Sequence, residues 1–92
     1  MEKMRDTKYA KELARATFDL TPESQGRIER LFFKREQKEG YRFSWWKNNR
    51  MIPRPLDFTE EEFLMLLELA IREGVFSDSF LGKFKELIEN IR

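Results

Sequence analysis

The segment Phe58-Thr59-Glu60-Glu61-Glu62-Phe63 constrains the fold of this chain more than any other. Thr59 followed three residues later by Glu62 spells a capping box, in which each side chain satisfies the other residue's orphaned backbone N–H at a helix start. Phe58 and Phe63 flank it as a hydrophobic staple, and the three glutamates complement the positive end of the helix dipole. The body that follows, FLMLLELAI, is apolar almost all round and leaves a narrow polar strip of Glu61, Glu68 and Arg72. That is the pattern of a central helix contacted on several sides. Gly74 is placed to close it in the left-handed conformation, with Val75 folding back on Ala70.

A further helix is expected from Ser77 or Asp78, with Phe76 stapled to Leu81. Phe80, Phe84, Leu87, Ile88 and Ile91 recur at helical spacing. Gly82 inside it costs about 1 kcal/mol relative to Ala and suggests a close helix approach. The short connection predicts that these two helices pack as an antiparallel hairpin.

Upstream, Thr21 is a good N-cap and Pro22 suits the first helical position, so a helix is expected to run to Glu39 and stop at Gly40. Ile28, Leu31 and Phe32 give it an apolar face, and Arg27, Arg30, Lys34 and Lys38 fall in a band about 80° wide beside that face. Arg35 lies along the apolar face and Phe33 opposite to it. A weaker amphipathic helix is expected from Thr7 to Phe18, after six residues that fray.

The run Tyr41–Arg54, YRFSWWKNNRMIPR, can be read two ways. Tyr41, Phe43 and Trp45 alternate with Arg42 and Ser44 as a strand would. No other segment offers an obvious second strand, which favours a short helix from Trp45 to Met51, capped by Ser44 and ended by Pro53 and Pro55. The expectation is an all-α protein: one domain over residues 1–92, a compact bundle of four helices with a short fifth near 45–51. Trp45 is expected to face inward and Trp46 outward.

The chain has no Cys and no His among its 92 residues. That excludes disulfides, the usual zinc sites and every histidine- or cysteine-based catalytic group, so the core must come from packing alone. No Gly-rich phosphate loop or nucleophile motif occurs, and capping explains the adjacent glutamates without chemistry. No enzyme activity, cofactor or metal is expected. The N-terminal residues are charged throughout and no apolar run is long enough to span a bilayer, which points to the cytoplasm.

Net charge is only +1, but it is unevenly spread. Residues 1–26 are neutral, residues 27–54 carry +6 and residues 55–92 carry −5. A basic middle interleaved with aromatic side chains suits a nucleic-acid backbone and its bases. The candidate contacts are Arg27, Arg30, Lys34, Lys38, Arg42, Trp45, Trp46, Lys47, Asn48 and Arg50. A helix, a Gly-containing turn and a short second helix would have the outline of a helix-turn-helix.

Within this run, Trp45-Trp46-Lys47-Asn48-Asn49-Arg50-Met51 resembles the Trp-Phe-x-Asn-Arg-Arg core of a homeodomain recognition helix. The likeness implies an adenine-reading role for Asn48 and a phosphate or base contact for Arg50. It covers seven residues, replaces the first of the family's paired arginines with Asn49, and assigns no membership. The leading expectation is a small regulator that binds DNA or RNA. The alternative is a protein-binding adaptor or inhibitor that uses the aromatic segment or the acidic C-terminal helices, with a second copy of the chain as one candidate partner.

Overall fold

An antiparallel sheet, not a helical bundle, forms the first half of the chain. The computed structural model describes residues 4–91. Strands β1 (Ala10–Thr21), β2 (Ser24–Phe33), β3 (Lys38–Lys47) and β4 (Arg50–Ile52) pair in sequence order as a meander. Helices α1 (Glu60–Arg72) and α2 (Asp78–Ile91) follow. The fold is therefore α+β, and the all-α expectation is overturned.

Three turns decide the meander. Thr21 is not a helix cap: its hydroxyl accepts from the N–H groups of Glu23 and Ser24 and closes the β1–β2 turn, in which Pro22 sits. The expected helix from Pro22 to Glu39 is β2, a turn and the start of β3, with Gln37 at positive φ. Asn48 and Asn49, at φ 50° and 63°, make a two-residue turn between β3 and β4. Two consecutive residues at positive φ match the right-handed twist of the strands, and Asn tolerates that conformation better than most residues. The expected short helix at 45–51, and with it the recognition-helix likeness, is thus a β-hairpin.

Register assigns the faces, because directly paired residues point the same way. Ala16, Ile28 and Phe43 form one row, and Gly26 sits between Phe18 and Trp45 on the same face. A register shift between Glu12 and Ala14 re-aims β1, so Glu12 shares the other face while Ala14 joins the first. Helix α1 covers the first face over β1 and β2. Ala14, Ala16, Ile28, Leu66, Ala70 and Val75 form the core, with Phe18, Leu69 and Phe76 packed against it. The small alanines of β1 let the helix approach closely. Leu56, on the segment leading to α1, rests on Gly26, where a Cβ would lie 3.3 Å from its methyl group.

The capping box at Thr59 and Glu62 is present in both directions. Phe58 stacks on Phe63 at 5.1 Å, and Gly74 takes φ 69° with Val75 fully buried and its N–H donated to Ala70. Other expectations for this half fail. Helix α1 is not central, since Leu64, Met65 and Ile71 are exposed. Helices α1 and α2 do not pack as a hairpin, no residue of α2 is buried, and nothing approaches Gly82. No helix among the described residues is long and apolar enough to cross a membrane.

Candidate nucleic-acid interface

The sheet face turned away from α1 carries a buried polar network. Arg15, Glu29 and Arg42 form one cross-strand row, and Thr17, Arg27 and Ser44 the next. Trp46 and Met51 pair beyond them. Glu29 is 0% exposed. Its Oε1 accepts from Arg42 Nε at 3.1 Å and Nη2 at 3.0 Å, and from Ser44 Oγ at 3.1 Å. Ser44 in turn accepts the indole N–H of Trp46 at 2.8 Å. Alternation along β3 therefore lines up Arg42, Ser44 and Trp46 as three members of one chain of hydrogen bonds.

Above this chain, the Trp46 ring lies under two guanidinium groups, with Arg27 at 4.1 Å and Arg5 at 4.7 Å from its centroid. Arg5 reaches it because the N-terminal segment folds back over the face. The Glu12 N–H donates to the Arg5 carbonyl at 2.7 Å, and the Arg5 N–H donates to the Glu12 carboxylate at 3.1 Å. Lys34 fastens the segment further by bridging Asp6 and the carbonyl of Thr7. Arg5 and Asp6, expected to fray, are therefore held; residues 1–3 of that expectation lie outside the described residues. Lys34 also holds the Asp6 carboxyl below its usual range, by hydrogen bond and by charge.

Glu12 and Glu29 meet on this face, and their pKa values are shifted in opposite directions. Burial pushes Glu29 upward, and its hydrogen bond to Glu12 adds to the rise despite Arg42. Burial would raise Glu12 as well, but hydrogen bonds from Glu29, Arg15 and the Arg5 N–H outweigh it and hold Glu12 below its ordinary value. Arg15 contributes an Nη2–Oε1 contact of 2.7 Å. Burial and the Glu12 carboxyl thus favour the protonated form of Glu29, whose Oε2 has no hydrogen-bond donor.

The ten residues expected to form one site are divided. Arg27, Arg42 and Trp46 share the polar face. Lys47, Asn48 and Arg50 occupy the exposed β3–β4 turn at one end of the sheet. A cleft of about 240 Å³ joins these two groups, lined by Pro22, Glu23, Gln25, Trp46, Asn48 and Asn49. Lys34 and Lys38 lie at the opposite end of the sheet, around the β2–β3 turn. Arg30 and Trp45 are on the helix-facing side, where Arg30 pairs with Glu39 at 3.7 Å. The two tryptophans do not occupy helical positions about 100° apart but opposite faces of a strand. Trp46 is the buried one, at 6% exposure, and Trp45 is half-buried, which reverses the expected order.

Arg5, Glu12, Arg15, Glu29 and Ser44 belong to the network although the sequence expectation omits them. The spacing Arg27-x-Glu29 beside Arg42-x-Ser44-x-Trp46 carries the signal once both segments are read as strands. The class defined by this architecture is a small α+β protein with a four-stranded meander, one helix packed on one face and a charged network on the other. Against protein-family models, curated proteins and solved structures, the chain finds no match.

Proposed function

We propose that this chain is a small, non-enzymatic, cytoplasmic protein that binds single-stranded DNA or RNA at the end of the polar face. The observation that carries the reading is that Trp46, covered by Arg27 and Arg5, and Asn48 and Asn49 of the β3–β4 turn line one polar cleft. Lys47 and Arg50 are exposed and meet phosphates as mobile cations. The amides of Asn48, Asn49 and Gln25 offer donors and acceptors to a base edge that enters the cleft. The cleft's own lining carries one charge, Glu23; the positive charge lies beside it, in the guanidinium groups over Trp46 and in Arg42 further along β3. A duplex-reading helix is no part of this proposal, because the residues that resemble one form a turn.

Titration of a Trp45→Phe variant with mixed-sequence single strands tests it, with Trp46 as the remaining fluorophore. The expected result is a change in emission that saturates and weakens as salt rises. Lys47→Ala with Arg50→Ala should lower affinity and reduce the slope of log K against log salt by about 1.4, taking about 0.7 for each phosphate no longer neutralised. Absence of salt-sensitive binding at micromolar protein overturns the proposal.

A further inference from the structure

The opposite face of the sheet is apolar and, beyond α1, uncovered. Helix α1 lies over β1 and β2 but not over β3. An open groove of about 710 Å³ is left between β3, α1 and α2. Its floor and walls form a chain of rings. Tyr41 meets Phe76 at 5.4 Å and Phe80 at 6.2 Å, Phe80 stacks on Phe84 at 5.8 Å, and Phe43 meets Phe63 at 6.2 Å. Glu68 is the one charged side chain among the described residues that line it. An anionic ligand finds nothing to pair with there.

Helix α2 is uncovered too. Phe80, Phe84, Leu87 and Ile91 are spaced four, three and four residues apart, the spacing of a coiled-coil seam, and all four are at least 40% exposed. Fourteen residues of helix are marginal in water without a packed face. The exposed parts of this stripe, with Tyr41, Phe43, Leu64 and Ile71, amount to on the order of 800 Å² if each residue offers about 200 Å² in full. That exceeds the few hundred Å² of apolar patch usual on a monomer, and it matches the roughly 800 Å² per partner of a stable interface.

We propose that this face is the interface of a symmetric homodimer, in which the α2 seam of each copy lies against the β3–α1 groove and α2 of the other. One chain supplies both the groove and the ridge, so a two-fold axis satisfies both copies at once. The covering is also required whenever the chain is folded, because α2 has no buried residue of its own, and a second copy is the partner always present. A small apolar ligand fills the groove but leaves Leu87 and Ile91 in water. The polar face is left free on both copies.

Sedimentation equilibrium of the full chain tests this. The expected mass is twice 11.2 kDa at tens of micromolar. Leu87→Glu with Ile91→Glu should give a single-chain mass while the circular dichroism of the sheet is retained. Leu87→Ala adds no charge; it should raise the dimer dissociation constant at least tenfold, and it decides the matter where the glutamates also unfold the chain. A single-chain mass for the wild type overturns the proposal and leaves the face to another protein's helix or an apolar ligand. A dimer indifferent to all these substitutions overturns it as well, by placing the interface elsewhere.

Discussion

Glu29 shows how one residue can be both a structural anchor and a charge the fold would rather neutralise. Its Oε1 collects three donors, two from Arg42 and one from Ser44, while its buried Oε2 has none. Glu29→Ala leaves Ser44 and Arg42 without their acceptor and should cost about 2–3 kcal/mol in urea unfolding. The figure stays at the low end because the Arg42 side chain, 34% exposed, can turn to water. Glu29→Gln keeps the acceptor and supplies an N–H toward Glu12, imitating the protonated acid. The pH dependence has a definite sign. A carboxyl raised in the folded state binds more protons folded than unfolded, so its contribution to stability is lost as pH rises above the ordinary value of 4.5 through the folded one. Glu12, lowered, acts oppositely: its contribution is lost as pH falls below 4.5. Wild-type stability should therefore decline, as pH rises above about 4.5, by more than that of Glu29→Gln, which should equal or exceed the wild type once Glu29 has ionised. Equal slopes in the two proteins would remove Glu29 as the cause.

At the scale of elements, the helices are legible in the sequence because their signals are local. The Thr59 cap is made at 3.1 Å to the Glu62 N–H and returned at 2.8 Å. Thr59→Ala should lower stability by about 1 kcal/mol. Gly82→Ala should raise it by about 0.5–1 kcal/mol, since beyond its chain neighbours and the adjacent turns of its own helix backbone no atom stands within 4 Å of the added methyl group. A loss at that position would mean a neighbour that a single chain lacks. The strands are hidden for a physical reason in β2. Arg30 stands on the apolar face beside Glu39, and Leu31 stands on the polar one. That exchange breaks the period of two and leaves Ile28, Leu31 and Phe32 at helical spacing. Both faces of β2 are also largely buried, one of them by Arg27 and Glu29, so charge no longer marks the outside. The alternation of Tyr41, Phe43 and Trp45 is visible, but its partner strand is not. The ten candidate site residues split for the same reason, since a strand sends neighbours to opposite faces and a helix gathers them into a band.

Over the whole molecule, the two sheet faces divide the work, and the division bears on stability. The core of one chain is small: three of the six residues in its central cluster are alanines, and few large side chains are fully buried. Nine of the nineteen Phe and Leu side chains of the 92 residues lie instead around the open groove and along α2. A chain this short gains proportionately little burial from folding alone, so covering that second apolar cluster is worth a large share of the total. If a second copy covers it, folding and association are one equilibrium and the melting temperature depends on concentration. Each tenfold rise in concentration adds about 1.4 kcal/mol per dimer, which for two such chains is an upward shift of about 4 °C. Scanning calorimetry across two decades of protein concentration should show that drift in the wild type and none in the Leu87→Glu, Ile91→Glu variant. Adding a single strand of nucleic acid should raise the melting temperature of both proteins, because the polar face lies on the other side of the sheet and is untouched by the substitutions. Stabilisation by nucleic acid in the wild type alone would show that the polar face is completed only by the dimer.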